Sequence, residues 1–155
     1  MKKKYTYLFW LLLIGSTIAR LFYIGWGNLD LAPDEAHYWD WSRHLGLSYY
    51  SKGPAIAYII FLGTHIGNLL RINPPNPAFW VRFSAIFNSL FIGIILWFIT
   101  KRLWHSPKIS FYALLITIAA PIFALGSILI TVDNPLILYW ILFIYLFILA
   151  LETRR

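Results

Sequence analysis

The chain of 155 residues lacks cysteine and has few charged side chains. Without cysteine it can form no disulfide bond, use no thiol nucleophile and hold no Cys-ligated metal. Charged residues make up 12% of the sequence, whereas a soluble domain carries roughly 25%. Hydrophobic residues make up 60% and aromatic residues 19%, and aromatic side chains favour the membrane–water boundary. These proportions indicate an integral membrane protein and exclude a soluble globular domain.

Acidic residues are the scarcer charged group, six against thirteen lysines and arginines, so the net charge is +7. A basic chain can bind nucleic acid, but these basic residues stand in short clusters beside apolar runs. The clusters are Lys2–Lys4, Lys101/Arg102/Lys108 and Arg154/Arg155. This distribution is typical of loops on the cytoplasmic face of a membrane, so we expect no nucleic-acid partner.

Four apolar runs are candidates for membrane spans, which need about 20 residues each. They cover residues 5–25, 79–100, 109–130 and 134–151, and a loop over residues 26–78 separates the first two. The sequence therefore predicts an all-α integral membrane protein with about four transmembrane helices. The first run could instead be a signal peptide, because basic residues precede it. Its length and the spans that follow it favour an uncleaved helix.

A shorter apolar segment inside the loop, Ala55–Leu70, decides the predicted topology. If it crossed the membrane, the basic cluster around Lys101 would lie outside, against the positive-inside rule. If it only lies along the outer surface, all three basic clusters fall in the cytoplasm. We therefore predict a juxtamembrane or re-entrant helix, a cytoplasmic N-terminus, and an outer face that carries both Asp34 and Asp133.

The loop over residues 26–78 gathers ionisable side chains in an otherwise apolar chain. Pro33 is placed to begin a helix, so Asp34 and Glu35 fall in its first turn. In one reading they only complement the helix dipole. In the other, a carboxylate at this position accepts a proton from an attacking hydroxyl group.

Three basic residues and one further acid can also be interpreted either as structural or as functional. Lys52 precedes the surface helix and can meet a lipid phosphate. Arg20 and Arg82 lie within or at the edge of spans, where long basic side chains reach toward the interface; Arg82 can also pair with a lipid phosphate. Asp133, beside an asparagine and a proline, is either a turn former or a second carboxylate on the outer side.

Two acid–histidine pairs raise the question of a metal. Asp34 and His37 are three residues apart, and Asp40 and His44 are four apart, so each pair could share one face of a helix. Such spacing also arises by chance. A divalent metal therefore stays possible, but the sequence assigns no metal ligand and no certain cofactor.

The order of motifs in this chain resembles a known family. The segments "PDEAHYWDW", "LSYYSKGPAIAYII", "WVRFSAIFNSL" and "TVDNPLILYW" are similar to the amino-terminal part of polyprenyl-phosphate-sugar-dependent membrane glycosyltransferases. These include protein O-mannosyltransferases, lipid A aminoarabinose transferases and bacterial glycosyltransferases that modify lipopolysaccharide cores. The resemblance implies a partial C-type glycosyltransferase fold, in which residues 1–155 form a single membrane module with juxtamembrane helices in the first outer loop.

The resemblance also implies roles for five residues. Asp34 matches the acid that acts as the catalytic base in the family, Glu35 matches the second acid of the pair, and Asp133 matches an outer-face acid. Lys52 and Arg82 match basic residues expected at the donor phosphate.

The activity implied is inverting transfer of a sugar from a polyprenyl-phosphate donor to a hydroxyl group of an acceptor such as lipid A, a glycan or a protein. The reaction would take place at the periplasmic or extracellular face of the bacterial inner (plasma) membrane. Family members carry more helices, so we expect a truncated or partial glycosyltransferase, or one completed by a second chain. The alternatives are a non-catalytic membrane module that binds lipid phosphate and a small transporter subunit.

Overall fold

The computed structural model describes residues 2–27, 29–76 and 78–153, and this part of the chain forms seven helices and no strand. The helices are α1 (Lys2–Trp26), α2 (Pro33–Arg43), α3 (Ala55–Leu70), α4 (Phe79–Trp104), α5 (Pro107–Ala119), α6 (Pro121–Gly126) and α7 (Asp133–Thr153). The architecture is all-α, which confirms the fold class that the sequence predicts.

Three of these helices are long and apolar enough to cross a membrane. They are α1, α4 and α7, with 25, 26 and 21 residues, and about 20 helical residues span the hydrocarbon core of a bilayer. They coincide with the spans predicted at residues 5–25, 79–100 and 134–151. The chain is therefore an integral membrane protein built from helices.

The apolar run over residues 109–130 differs from the continuous span that the sequence predicts. It is divided between α5, which has 13 residues, and α6, which has 6. Ala120 between them is extended, with φ −70° and ψ 123°, because the ring of Pro121 disfavours a helical conformation in the residue before it. After α6 a loop leads to α7, so this part of the run carries irregular backbone up to Asp133.

α3 packs across the beginning of α4. Gly63 approaches α4 so closely that a Cβ atom would lie 2.9 Å from the carbonyl oxygen of Trp80 and would also meet Ser84 Oγ. Gly67 lies against the Trp80 ring, and Ile56 packs in a buried cluster with the next turn of α4. On α3 these contacts extend over three turns, whereas on α4 they stay within the first two. The beginning of α4 is thus the part that packs against α3.

The membrane-spanning part of the chain is organised around α4. On one side α1 and α5 pack against it, and Leu13 of α1 contacts both Gly93 of α4 and Leu114 of α5. On another side α7 packs along α4. At the ends of these two helices Arg102 Nε donates a hydrogen bond to Glu152 Oε2 at 2.5 Å. The ends of α4 and α7 are thus joined by an ion pair.

Candidate functional site

Glu35 is buried at the beginning of α2, with 2% of its surface exposed. Pro33 starts the helix, since a proline in the first helical position needs no N–H partner and has a suitable φ. Glu35 Oε2 then accepts a hydrogen bond from the backbone N–H of Ala32 at 3.0 Å. The carboxylate therefore satisfies a backbone donor at the helix start while pointing into the protein.

Arg82 of α4 pairs with Glu35 in this buried position. The closest atoms, Arg82 Nη2 and Glu35 Oε2, are 2.7 Å apart, and each side chain is 2% exposed. Arg82 also donates to the carbonyl oxygens of Leu29 at 2.9 Å and Asp30 at 2.7 Å. Four of its five N–H groups are thus engaged. The guanidinium group lies among protein acceptors and is shielded from solvent.

Glu35 also reaches the segment that leads into α7. The backbone N–H of Ile130 donates to Glu35 Oε1 at 3.1 Å, and Ile130 is fully buried. Ile130 stands three residues before Asp133. Because both oxygens of Glu35 accept hydrogen bonds, one ion pair joins the beginning of α2, the beginning of α4 and the segment before α7. We call Glu35 and Arg82 the buried ion pair.

Asp34 and Asp133 are both exposed, and both lie near the phenol of Tyr38. Burial raises the pKa of the Tyr38 hydroxyl, and the negative charges of Asp34 and Asp133 raise it further. Exposed charges act on a neighbour only over a short range. Two aspartates that are 99 positions apart in the chain therefore act electrostatically on the same phenol.

Tyr38 is a site residue that the sequence does not single out. Together with Trp39 and Trp41 it resembles an interfacial aromatic belt, yet it is 7% exposed and packs in a buried cluster with Ile56 and Ile130. The spacing could have indicated Tyr38, because a residue four positions after Asp34 lies on the same face of a helix. The spacing shows the shared face, but the proximity of Asp133 appears only in three dimensions.

Lys52 lies in the loop that leads into α3. It is exposed in the loop before that helix, and its carbonyl oxygen accepts a hydrogen bond from the Tyr49 N–H at 3.4 Å. Ile56, four positions later, packs in the same buried cluster as Tyr38. Within the described ranges, the Lys52 ammonium group forms no ion pair. Lys52 is therefore an exposed cation in the loop between α2 and α3.

The two acid–histidine pairs do not form a site with several metal ligands. Among the residues that the structure describes, no group of three or more histidine or acidic side chains could hold a metal ion. The ring centroid of His37 lies 4.5 Å from that of Trp41, and His44 Nδ1 lies 3.4 Å from the backbone carbonyl oxygen of Asp40. Neither contact joins a histidine to the carboxylate of its paired acid.

The five residues that the sequence selects thus fall into two groups. Glu35 and Arg82 form the buried ion pair, whereas Asp34, Asp133 and Lys52 are exposed around it. Four of the five are connected through Glu35 and Tyr38. The buried ion pair thus connects the segments that carry the exposed carboxylates of Asp34 and Asp133, and an exposed carboxylate can accept a proton.

Comparison with known proteins identifies a family and a relative of similar sequence. The family of dolichyl-phosphate-mannose-protein mannosyltransferases matches residues 51–155, which contain Lys52, Arg82 and Asp133. The lipid A galacturonosyltransferase RgtD of Rhizobium johnstonii is 30% identical over 145 residues. That similarity covers 94% of this chain and 29% of RgtD, so the chain spans less than a third of that relative. No solved structure matches the chain.

Proposed function

Because the chain belongs to the dolichyl-phosphate-mannose-protein mannosyltransferase family of membrane glycosyltransferases, we propose that it transfers a sugar from a polyprenyl-phosphate donor to a hydroxyl group. The acceptor is a membrane glycolipid of the lipid A class, since lipid A appears in the name of the relative. One observation supports this proposal above the others, namely that the buried ion pair joins the start of α2, where the exposed Asp34 lies, to the segment that precedes the exposed Asp133.

The proposed reaction assigns the proton to Asp34. The acceptor oxygen forms a bond to the anomeric carbon of the sugar, and the bond from that carbon to the phosphate oxygen breaks. The hydroxyl proton passes to the Asp34 carboxylate, and the electron pair of the broken bond leaves with the polyprenyl phosphate. Lys52 stabilises the charge on that phosphate, and Asp133 stabilises the positive charge that develops on the sugar. Attack opposite the departing phosphate inverts the anomeric centre.

In this proposal Glu35 and Arg82 position the reacting groups. Both oxygens of Glu35 already accept hydrogen bonds, which leaves it poorly placed to receive a substrate proton. Four of the five N–H groups of Arg82 are engaged, which leaves little for a donor phosphate. The pair instead holds the first turn of α2 against the segment before Asp133, so that both aspartates face one volume.

We place this site at the outer face of the bacterial inner membrane. In that orientation the basic clusters around Lys2 and Lys101 lie in the cytoplasm, as the positive-inside rule favours. α3 then lies along the outer surface as a juxtamembrane helix. The close contacts of α3 with α4 stay within the first two turns of α4, which supports that placement.

Transfer of label from a polyprenyl-phosphate sugar to lipid A tests the proposal, in membranes that contain the wild-type chain, Asp34→Asn or Asp40→Asn. Asp40 is the matched control, because it is an exposed acid on the same helix. General-base catalysis contributes about 100-fold or more. We therefore expect Asp34→Asn to lower transfer by about that factor and Asp40→Asn to leave it unchanged.

Two results would contradict the proposal. If Asp34→Asn transferred label as fast as the wild type, the carboxylate would not accept the proton. If membranes with the wild-type chain transferred no more label than membranes without it, this chain would not carry the activity.

A further inference from the structure

A groove of about 200 Å³ lies between α2 and α3. Arg43, which lines it, follows Asp34 by nine positions, which is about two and a half helical turns and about 14 Å along the axis. The groove therefore lies on the opposite side of α2 from Asp34. We call it the α2–α3 groove, and the residues of its wall that matter here are Trp39, Arg43, Phe61, His65 and Asn68.

Two basic side chains of the groove contact aromatic rings instead of acids. Arg43 Cζ lies 5.4 Å from the centroid of the Trp39 ring. The ring centroid of His65 lies 5.4 Å from that of Phe61, at an interplanar angle of 20°. Among the described residues, no carboxylate oxygen lies within 4.0 Å of either basic side chain. Because a ring contact uses none of the N–H donors of a guanidinium group, the donors of Arg43 stay available to an anion.

The surroundings of the groove are more positive than negative. α3 contains no acidic residue. The closest acid to Arg43 along α2 is Asp40, and the two form no ion pair within the described ranges. Asn68 adds an amide group that can donate hydrogen bonds. A guanidinium group, an imidazole and an amide that line one groove suit a phosphate group, which accepts several strong hydrogen bonds.

An exposed apolar face adjoins the groove on α3. Leu62 and Leu69 lie three residues before and four residues after His65, so the three side chains share one side of the helix. The two leucines are 58% and 76% exposed. In the orientation proposed above, α3 lies along the outer surface of the membrane, where exposed leucines contact acyl chains. His65 therefore stands between a polar groove and an apolar face.

We propose that the α2–α3 groove binds the phosphate headgroup of an anionic membrane lipid, whose acyl chains lie along Leu62 and Leu69. The volume supports a headgroup, since about 200 Å³ is less than the roughly 300–1,000 Å³ of sites that enclose a whole small molecule. The leucines favour a lipid, because inorganic phosphate would leave them uncovered. A bound lipid would hold α2 and α3 on the outer leaflet whether or not the chain transfers a sugar.

Photolabelling of the purified full chain in neutral detergent tests the inference, with phosphatidic acid that carries a diazirine in an acyl chain as the probe. Arg43→Gln removes the guanidinium group, and His65→Gln removes the imidazole. His44→Gln and Arg71→Gln are the matched controls. Each of these two residues is exposed and directly follows α2 or α3, but neither lines the groove.

We expect Arg43→Gln to lower the labelling of peptides from α2 and α3 by about 10-fold, as for the loss of a charged hydrogen-bond donor. His65→Gln should lower it less, and Arg43→Lys should retain part of it. Both controls should stay within about 2-fold of the wild type, because exposed charges outside the groove are screened. Unlabelled phosphatidic acid should compete better than diacylglycerol, phosphatidylcholine or inorganic phosphate. Size-exclusion elution at the wild-type volume shows that a variant is folded.

The inference is overturned if folded Arg43→Gln is labelled like the wild type, or if Arg71→Gln loses as much labelling as Arg43→Gln. It is also overturned if diacylglycerol or phosphatidylcholine competes as well as phosphatidic acid, since the anionic headgroup would then not be recognised. Equal competition by inorganic phosphate would overturn it in favour of a site for free phosphate. Asp34→Asn should keep full labelling while it loses transfer, so this inference and the proposed function fail separately.

Discussion

At the scale of single residues, two neighbouring acids have opposite environments. Asp34 is exposed near Tyr38, whereas Glu35 is 2% exposed and pairs with Arg82. The sequence predicts that both acids lie in the first turn of a helix, and the structure agrees. The sequence does not predict which of the two acids points inward, because that depends on how α2 is rotated about its axis against α4. The partner of Glu35 is also 47 positions away in the chain.

Removing the charge of Glu35 should destabilise the protein strongly. Glu35→Gln leaves the buried guanidinium group of Arg82 without its counter-ion, and breaking one partner of a buried pair costs about 3–5 kcal/mol. We expect a clear loss of stability, measured by thermal unfolding in detergent.

The exposed pair between Arg102 and Glu152 provides the control. Glu152→Gln removes a carboxylate of the same kind from a solvated position, where such pairs contribute little. It should leave the unfolding temperature nearly unchanged. If Glu35→Gln were equally mild, the buried ion pair would not hold these segments together.

The pKa of Tyr38 should respond directly to the charges of Asp34 and Asp133. Burial and the charges of Asp34 and Asp133 raise it above its ordinary value. Asp34→Asn or Asp133→Asn should therefore lower it, whereas Asp40→Asn should not. The measurement is an alkaline titration of tyrosinate absorbance, in which the difference between each protein and its Tyr38→Phe version isolates this phenol.

The sign of the linked stability follows from the same shift. A phenol whose folded pKa is raised contributes stability that is present below the unfolded pKa, about 10. That contribution is lost as the pH rises through the folded pKa. The wild type should thus lose stability in alkali more steeply than Tyr38→Phe. An unchanged Tyr38 pKa in Asp133→Asn would show that Asp133 lies elsewhere.

At the scale of helices, apolar length predicts α1, α4 and α7 well, because about 20 consecutive apolar residues suit a bilayer. The same criterion does not show the division of residues 109–130 into α5 and α6. Pro121 is visible in the sequence, but hydropathy does not register the missing N–H or the restriction on the residue before it. Ala55–Leu70 is a helix, as the sequence predicts, although its contacts are set by glycines.

Two helical glycines should respond to alanine in opposite directions. At Gly63 a Cβ would lie 2.9 Å from the carbonyl oxygen of Trp80, so Gly63→Ala should separate α3 from α4 and cost about 1–3 kcal/mol. At Gly15 a Cβ meets nothing within 4 Å, so Gly15→Ala should stabilise the helix by up to about 1 kcal/mol. Thermal unfolding of both variants measures the difference. Equal effects would mean that α3 does not pack closely on α4.

At the scale of the whole molecule, the site joins distant parts of the chain at one end of the bundle. The buried ion pair connects the beginnings of α2 and α4 with the segment before α7. The basic clusters that the sequence places in the cytoplasm adjoin the opposite ends of the spanning helices, since Lys2 begins α1 and Lys101 is near the end of α4. A shared outer site therefore requires Asp34 and Asp133 to lie on the face opposite those clusters.

Crosslinking of two introduced cysteines tests this requirement most directly, because the natural chain has none. A short bifunctional thiol reagent that cannot cross membranes is added outside cells that carry Asp34→Cys with Asp133→Cys. We expect a crosslink within the chain. In the control, Asp34→Cys with Ser106→Cys, we expect no crosslink, and the thiol at position 106 should react only after permeabilisation. Absence of the first crosslink, or a thiol at position 133 that reacts only after permeabilisation, would contradict the shared outer site.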